Sequence, residues 1–175
     1  HADGLVPDLP VVRIPDASLY LRAETNALLC GGWEPEGLST DPRGFALTAE
    51  PPAIEPDYEV LGWFAEQLTP HLPKVNDLGL RSVFRGWPTF TPDGRFIIGP
   101  SARVPGFVMA GGCNAHGVSG SAGIGRHLVE SMFDDAPSKY VRSLSPDRFS
   151  ENGWDWSTAR RDAQHYYETY YCLGH

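Results

Sequence analysis

The stretch that decides the fold of this chain reads Gly106-Phe-Val-Met-Ala-Gly-Gly-Cys-Asn-Ala-His-Gly-Val-Ser-Gly-Ser-Ala-Gly-Ile-Gly-Arg-His-Leu-Val-Glu130. Its apolar residues 107–110 predict a short buried strand, and the glycines that follow predict a tight turn. Apolar residues then recur every four positions, which predicts a helix over residues 121–133, with one face formed by Ile124, Leu128 and Met132. A strand, a glycine turn and a helix start in series gather unpaired backbone N–H groups at one point. Such a point suits an anion or an electron-rich ring edge.

The same glycines also fit other kinds of site. A helix start that uses glycine only for close packing agrees with the pattern. The segment Gly117-Val-Ser119-Gly-Ser121 lacks the final glycine of a nucleophile elbow, which speaks against a serine hydrolase. The turn is not a P-loop, because no Gly-Lys-Ser/Thr follows it.

Two Cys-x-x-His pairs, Cys113 with His116 and Cys172 with His175, together have the ligand count of a zinc site. Their spacing differs from that of short zinc modules, and the second pair stands at the end of the sequence. We therefore predict that the chain has no metal site.

The composition bears on the class of function. A hydrophobic content of 41% with five Trp predicts a packed core rather than disorder. The formal charge of −8 leaves no basic patch for phosphates, so no nucleic acid partner is expected. There is no run of 18 apolar residues, so no membrane span is predicted. Three widely spaced cysteines predict reduced thiols and therefore a cytoplasmic protein, or one of the mitochondrial matrix if the source is eukaryotic.

The 175 residues suffice for one domain or for a large piece of a bigger one. The chain does not begin with Met, so we expect it to be a processed product or an excerpt. No Gly-x-Gly-x-x-Gly follows a strand near the N-terminus, and no ordinary dinucleotide-binding βαβ unit is predicted. If the chain binds a dinucleotide, we expect it to contact only a part of that molecule.

The remaining patterns predict a β-rich N-terminal part and a helical end. The predicted strands cover residues 9–14, 19–23, 28–30, 80–84 and 95–98, and two further predicted helices cover residues 57–72 and 157–170. Pro56 precedes the first of these helices, and Ser157 is expected to cap the second. The turn Thr91-Pro-Asp-Gly94 separates the last two strands.

Two groups of aromatic and charged residues have both a structural and a functional interpretation. Tyr20, Arg22 and Glu24 alternate with leucines and share one face of a predicted strand. That face is either solvent-exposed or the floor of a cavity, where a Tyr hydroxyl and an Arg fork would orient a polar ligand. Trp87 is either part of the core or an aromatic wall beside a planar ligand.

Four segments in order resemble the C-terminal part of the FAD-dependent amine oxidoreductases, the group that includes D-amino-acid oxidase and sarcosine oxidase. The nearest branch is that of the dimethylglycine and sarcosine dehydrogenases. The segments are Leu9-Pro-Val-Val-Arg-Ile-Pro-Asp-Ala-Ser-Leu-Tyr-Leu-Arg22, Leu28-Leu-Cys-Gly-Gly-Trp-Glu34, Gly86-Trp-Pro-Thr-Phe-Thr-Pro-Asp-Gly94 with Ile98-Gly-Pro100, and Gly111-Gly-Cys-Asn-Ala-His-Gly-Val-Ser119. Asp147-Arg-Phe149 and the Tyr-rich residues 166–171 also resemble this branch, where a folate-binding half follows.

The resemblance implies an α+β fold that forms the C-terminal portion of a two-domain FAD-dependent oxidoreductase. Residues 1–113 would form a substrate domain with a mixed or antiparallel sheet and a helix, residues 114–135 the strand–glycine turn–helix that contacts the flavin, and residues 136–175 a tail with a helix. The Rossmann segment that holds the ADP half of FAD is absent from this chain. It is expected on a preceding segment or a partner subunit.

The resemblance also implies site residues. The flavin ring would meet the glycine turn with its pyrimidine edge, at Asn114, Ala115, His116, Gly117, Val118 and Ser119. Gly86, Trp87 and the Thr91-Pro-Asp-Gly94 loop would lie near the other side of the ring. The start of a helix would stabilise the negative charge that gathers at the pyrimidine edge on reduction.

Three positions depart from the sarcosine oxidases in this resemblance. Gly86 stands where they carry a flavin-linking Cys, so this thioether link is excluded. Ser119 replaces their substrate-binding Lys. Leu29 falls near their Lys that is associated with reaction with oxygen, which favours a dehydrogenase over an oxidase.

The resulting hypothesis is a flavoprotein that oxidises an N-methylated amine or amino acid by hydride transfer to FAD, yielding an imine. Tyr20 is expected to contact the substrate, and Arg22 is a candidate for binding a substrate carboxylate. Two alternatives stay open. One is a non-catalytic subunit or binding module derived from this fold, and the other is an amino-acid oxidase that uses oxygen directly.

Overall fold

A computed structural model describes residues 10–46, 50, 53–150 and 153–170 of the chain. The chain divides into two units, one of residues 1–87 with 168–175 and the other of residues 88–167. The described residues form helices and small antiparallel sheets, which confirms the expected α+β class. No helix in the described ranges combines the length and the apolar character that crossing a bilayer requires.

The first unit contains a three-stranded antiparallel meander of β1 (Val12–Ile14), β2 (Leu19–Glu24) and β3 (Ala27–Gly32). A 3-10 turn at Pro15–Ala17 reverses the chain between β1 and β2, and Ser18 completes the reversal with a φ of 51°. The predicted strands at 19–23 and 28–30 are confirmed, each with a small extension. The strand predicted over 9–14 begins only at Val12, and Leu9 lies outside the described residues.

Helix α1 (Tyr58–Leu68) packs on this sheet. The Asp57 side chain caps α1 by accepting hydrogen bonds from the backbone amides of Glu59 and Val60. Leu68 is buried with Ala17 and Leu19 at the centre of the core of this unit. The helix was predicted to reach Leu72 but ends at Leu68, because Pro70 cannot donate a further helical hydrogen bond.

The strand predicted over residues 80–84 is wrong. This segment has no regular structure, and Leu80 and Phe84 are 68% and 86% exposed. The pattern of apolar residues resembles a strand, but a strand needs a neighbour for its backbone hydrogen bonds. Among the described residues no such neighbour pairs with it.

The second unit contains an antiparallel pair of strands, β4 (Ile97–Pro100) and β5 (Val108–Gly111). They lie two residues and one residue later than the predicted strands at 95–98 and 107–110. The shift of β4 has a local cause, because the Arg95 amide donates to the Asp93 carboxylate at 3.2 Å and so belongs to the preceding turn. The Ile98 amide donates to the Leu144 carbonyl at 2.8 Å, which joins the pair to the segment that follows α2.

Helix α2 (Gly117–Phe133) packs against β4 and begins four residues before the predicted start at Ser121. Glycine lowers helix propensity by about 1 kcal/mol per residue, so the glycines at its start favour a turn in the sequence pattern. Packing overrides that preference, since a Cβ on Gly120 would stand 3.3 Å from the Phe96 ring. Of the predicted face, Ile124 and Leu128 are partly buried and Met132 is exposed.

Two short helical segments follow, α3 (Lys139–Arg142) and a 3-10 turn at Pro146–Phe149, and then helix α4 (Trp156–Glu168). The cap predicted at Ser157 is wrong. The Asp155 carboxylate instead accepts a hydrogen bond from the Thr158 amide at 2.8 Å, and the Asp155 carbonyl accepts the bond from Ala159 at 2.9 Å. The most fully buried apolar side chains of the second unit are those of Ile98, Val141 and Leu144.

Candidate functional site

The chain segment between β5 and α2 is held by Asn114, whose side chain is buried. Its Oδ1 accepts hydrogen bonds from the Thr91 amide at 2.8 Å and the Thr91 hydroxyl at 3.3 Å, and its Nδ2 donates to the Gly112 carbonyl at 2.7 Å. The Asn114 amide donates to the Thr89 carbonyl at 3.0 Å. These four bonds fix the backbone just before the helix.

Three residues of this segment have left-handed backbone conformations. The φ angles are 58° at Gly112, 46° at Asn114 and 60° at Ala115. Asn tolerates this region better than most residues, whereas Ala at a positive φ is unusual. Gly112 is required for a second reason, because a Cβ there would stand 2.5 Å from the Thr91 Cγ2 atom.

The start of α2 has no side-chain cap. His116 is the N-cap residue, and its side chain makes no capping hydrogen bond. The first helical bond runs from the Gly120 amide to the His116 carbonyl, so within the described residues the amides of Gly117, Val118 and Ser119 donate to no backbone or side-chain acceptor. The first turn also contains no acidic residue.

The surface around this helix start is open. Ala115, His116 and Ser119 are exposed, and Val118 is 94% exposed. The Ser119 hydroxyl donates to the His116 carbonyl at 3.2 Å and so leaves the amides of the first turn uncovered. Of the six predicted residues 114–119, Gly117, Val118 and Ser119 therefore present unbonded amides at the positive end of a 17-residue helix, whereas Asn114 is buried and the amides of Asn114 and His116 are bonded within the chain.

A shallow cavity adjoins this site in the second unit. Its lining consists of Gly94, Arg95, Phe96, Asn114, His116 and Tyr140. Arg95, Phe96 and Tyr140 are not among the site residues predicted from the sequence. The Thr91-Pro-Asp-Gly94 motif gave a signal for the first two, since they follow that turn directly, but nothing in the sequence connects Tyr140 with it.

The turn that follows Thr91 is fixed by a partly buried ion pair. The Arg148 Nε and Nη2 atoms donate to the two carboxylate oxygens of Asp93 at 2.8 and 3.0 Å. Burial acts to raise the pKa of Asp93, but the hydrogen bonds and charge of Arg148, with smaller contributions from the Arg95 amide and the Thr91 side chain, hold that pKa below its ordinary value.

In the first unit, Tyr20 lies across the outer face of the sheet. It pairs with Gly31 on β3, and a Cβ at Gly31 would stand 2.4 Å from the Tyr20 hydroxyl, so the glycine makes room for the ring. The Trp33 ring meets Tyr20 edge-on at 5.7 Å and stacks on Tyr170 at 4.5 Å. Gly31, Trp33 and Tyr170 are not among the site residues predicted from the sequence, because this contact joins residues that are distant in the chain.

Arg22 lies on the same face of β2 as Tyr20, as the alternation predicted. Its guanidinium pairs with the Glu24 carboxylate at 2.5 Å, and the two side chains are 52% and 43% exposed. The opposite face of β2 carries Leu19, which is fully buried. A carboxylate ligand of Arg22 would have to compete with Glu24.

Gly86 and Trp87 also belong to the first unit. A Cβ at Gly86 would meet no atom within 4 Å, so close packing within the described chain does not require glycine there. Trp87 is partly buried, and its ring lies 6.2 Å from that of Phe45.

Metal ligation was expected to be absent. Among the described residues no group of three or more His, Cys, Asp or Glu side chains could hold a metal ion. Cys172 and His175, the second of the two Cys-x-x-His pairs, lie outside the described residues. The expectation therefore stays a prediction.

Comparison with known proteins supplies a family. Residues 2–131, well over half of the chain, match the family described as FAD dependent oxidoreductase. This match confirms the expected resemblance and the expected cofactor of the family, FAD. No solved structure matches the chain.

Individual relatives are more distant. The chain is 30% identical over 165 residues to the 4-methylaminobutanoate oxidase (formaldehyde-forming) of Paenarthrobacter nicotinovorans, which covers 90% of this chain and 19% of that protein. It is 27% identical over 164 residues to the mitochondrial sarcosine dehydrogenase of Homo sapiens, a match that covers 91% of this chain and 17% of that protein. It is 28% identical over 147 residues to the mitochondrial pyruvate dehydrogenase phosphatase regulatory subunit of Mus musculus, a match that covers 83% of this chain and 16% of that protein. The chain thus spans less than a fifth of the length of these relatives.

The residues at the start of α2 fit a flavin edge. The ring of FAD gains electron density at its pyrimidine edge when it is reduced, and such an edge needs donors and no nearby negative charge. The amides of Gly117, Val118 and Ser119 meet the first condition, and the absence of an acidic residue from the first turn meets the second.

Proposed function

Because the chain belongs to the FAD dependent oxidoreductase family, we propose that it forms part of a flavoprotein that oxidises an N-methylated amine or amino acid. The observation that carries this proposal is the uncapped, exposed start of α2, with three free backbone donors at one point. The names of two relatives, a 4-methylaminobutanoate oxidase and a sarcosine dehydrogenase, support the substrate class.

The chemistry is divided between cofactor and protein. When bound, FAD supplies the acceptor for the hydride that leaves the carbon next to the amine nitrogen, so that the substrate becomes an imine. The residues of this chain hold and orient the reactants. The amides of Gly117, Val118 and Ser119 hold the electron-rich edge of the ring, and Asn114, Ala115 and His116 shape the backbone that presents them.

Tyr20 is the proposed substrate contact of the first unit. Within the described residues its hydroxyl makes no hydrogen bond, while its ring is held by Trp33 and by the space over Gly31. A fixed ring with an available hydroxyl can orient a polar substrate. Arg22 is the proposed partner of a substrate carboxylate, which would replace the Glu24 carboxylate in the ion pair with Arg22.

Gly86 and Trp87 are proposed as further flavin contacts. The open space at Gly86 supports this proposal, because it leaves room for the approach of a ligand. In the resemblance to the sarcosine oxidases, Leu29 falls near their Lys that is associated with reaction with oxygen, and the absence of a Lys there supports a dehydrogenase.

The proposal includes the organisation of the whole protein. Residues 1–113 serve as the substrate domain, 114–135 as the flavin contact and 136–175 as the tail. The ADP half of FAD is bound by another segment or subunit, and a folate-binding domain is the proposed further neighbour. We propose a location in the cytoplasm, or in the mitochondrial matrix of a eukaryote.

The function is tested on the full-length protein that contains this chain. We expect a flavin absorbance spectrum that bleaches when N-methylated amino compounds are added without oxygen. When the methyl group is oxidised, we expect formaldehyde among the products, because water hydrolyses the imine to formaldehyde and the free amine. The matched control is the same compound without its N-methyl group, which should bleach the flavin far more slowly. A colourless protein that releases no FAD on denaturation would refute the proposal.

A second candidate is a non-catalytic subunit of the same fold. A relative named as a regulatory subunit matches the chain with 28% identity, close to the values for the enzymes. A stable homo-oligomer that contains no flavin and a change in the activity of a partner enzyme would support this candidate. The oxygen-using oxidase is distinguished by hydrogen peroxide, which it would produce in step with amine consumption.

A further inference from the structure

Arg148 uses its whole guanidinium group in the second unit. Besides the fork on Asp93, its Nη1 donates to the carbonyls of Leu144 and Ser145 at 2.9 and 3.1 Å, and its Nη2 donates to the Arg95 carbonyl at 3.1 Å. Its side chain is 14% exposed. Lys has three donors on one atom and cannot reproduce this planar pattern.

The fork holds the turn that begins at Thr91. The Gly94 amide donates to the Thr91 carbonyl at 3.1 Å, and the Asp93 carboxylate accepts the Arg95 amide as well as Arg148. The Arg95 carbonyl accepts the Thr91 hydroxyl at 2.9 Å. Arg148 therefore contacts both Asp93 and the carbonyl that fixes the Thr91 side chain.

Thr91 passes this restraint to Asn114. Both residues are buried, with 3% and 4% exposure, and the Asn114 side chain accepts both the amide and the hydroxyl of Thr91. Asn114 and Ala115 have positive φ angles directly before α2. Residues in such conformations persist only where their surroundings fix them. Hydrogen bonds thus connect Arg148 without interruption to Asn114, three residues before the first residue of α2.

We propose that the Asp93–Arg148 pair is a positioning device, which acts through Thr91 and Asn114 to set the start of α2 against the edge of the flavin. This inference rests on the proposed function. It assigns to Asp147-Arg-Phe149 a role at the flavin, although Arg148 does not touch the candidate site. The predicted consequence is that loss of the pair weakens the preference of the site for reduced flavin.

The experiment measures the reduction potential of FAD in the full-length protein, together with FAD content and the thermal midpoint. The variants are Arg148→Lys, which keeps the charge, and Asp93→Asn, which keeps the size. The control is Arg43→Lys, because Arg43 makes a similar forked contact with Asp41 on an exposed surface. We expect each of the two variants to shift the equilibrium about tenfold towards oxidised flavin, or about 30 mV for two electrons, and the control to cause no shift.

A further variant tests the route of the effect. Asn114→Gly removes the side-chain bonds but permits the positive φ. If the pair acts through Asn114, the double variant with Arg148→Lys should shift the potential no more than Asn114→Gly alone, since two changes on one path are not additive.

Three outcomes would overturn the inference. The first is an unchanged potential in Arg148→Lys and Asp93→Asn with FAD bound, even if the thermal midpoint falls, because the pair would then only stabilise the fold. The second is a shift in the double variant equal to the sum of the single shifts. The third is a wild-type protein without flavin, which refutes the proposed function as well. A shift with Asn114→Gly alone would leave the proposed function standing and remove only the role of the pair.

Discussion

The amide of Gly117 is the first of the three free donors of α2, and its α-carbon bears no side chain that could repel a ligand. We predict that Gly117→Asp lowers the rate of flavin reduction by at least tenfold, because a carboxylate at the helix start opposes the negative charge of the reduced ring. Stopped-flow absorbance of the full-length protein with an N-methylated substrate measures this rate.

The control for that variant is Gly117→Asn. A Cβ at this position would lie 3.3 Å from the Cys113 Cβ atom, so both substitutions cause similar crowding and only one adds a charge. Equal rates in the two variants would mean that crowding, not charge, causes the loss, and the assigned contact would be wrong.

Tyr20 gives a prediction for the substrate side. Tyr20→Phe keeps the ring against Trp33 and removes the hydroxyl. The loss of one hydrogen bond of about 0.5–1.5 kcal/mol should lower kcat/KM by about twofold to tenfold. Steady-state kinetics with the amine substrate measure the change. Tyr58→Phe on the exposed side of α1 is the control and should have no effect. Identical kinetics in both variants would remove Tyr20 from the site.

Among the elements, the junction of β5 with α2 depends on Gly112. An alanine in a left-handed conformation costs roughly 1–2 kcal/mol. We predict that Gly112→Ala lowers the free energy of unfolding by more than this amount, because its Cβ would also collide with the Thr91 methyl group. Chemical denaturation measures the loss.

The same junction offers a rescue. Thr91→Ser removes the colliding Cγ2 and keeps the hydroxyl that bonds to Arg95 and Asn114. In the Gly112→Ala background, Thr91→Ser should restore part of the lost free energy of unfolding. In the wild type, Thr91→Ser should lower the free energy of unfolding. If the effects of the two substitutions on the free energy of unfolding are additive, the contact between the Cβ added by Gly112→Ala and the Thr91 methyl group is not the cause of the loss.

Helix α4 tests a cap that the sequence analysis assigned to the wrong residue. We predict that Asp155→Ala lowers the thermal midpoint by a few degrees, because the Thr158 amide loses its acceptor. Ser157→Ala lies two residues further on and should change little. A larger fall of the thermal midpoint in Ser157→Ala than in Asp155→Ala would mean that Ser157 caps the helix after all.

Local patterns predicted the elements whose cause is local. The alternation of Tyr20 and Arg22 with leucines predicted β2 and the direction of its two faces, and the local sequence pattern predicted α1. The start of α2 could not be predicted, since its glycines disfavour a helix until Phe96 packs against Gly120. The prediction of a strand over residues 80–84 was wrong for the opposite reason. The local apolar pattern favours a strand, but the described chain has no strand that pairs with this segment.

The candidate site was predictable in part for the same reason. The glycine pattern predicted a site for an anion or a ring edge before α2, and the resemblance assigned residues 114–119 to it; the unbonded amides of Gly117, Val118 and Ser119 agree with that expectation. The partners of Asn114 were not selected, because Thr91 is 23 residues away and Arg148 acts on the turn from a third segment. Such contacts are set by the packing of the unit and leave no periodic signal in the sequence.

For the molecule as a whole, the Asp93–Arg148 pair predicts a dependence of stability on acid. Arg148 holds the pKa of Asp93 below its ordinary value, so the pair stabilises the folded state above the unfolded pKa of about 4 and loses that effect as the pH falls through the lower folded value. We predict that Asp93→Asn is less stable than wild type at pH 7 and that the difference shrinks below pH ~4.

Urea denaturation across this pH range measures the difference in free energy of unfolding. Asp135→Asn, a change on an exposed part of the chain, is the control and should follow the wild type at each pH. A difference between Asp93→Asn and wild type that stays constant down to low pH would mean that the Asp93 carboxylate does not contribute through its charge.

The most direct test of the central claim is the structure of the full-length protein with FAD bound, and in it the distances from the amide nitrogens of Gly117, Val118 and Ser119 to the pyrimidine edge of the ring. We predict that at least one of them lies within about 3.2 Å of a flavin acceptor atom. A ring bound elsewhere, with these amides covered by protein or open to water, would contradict the account.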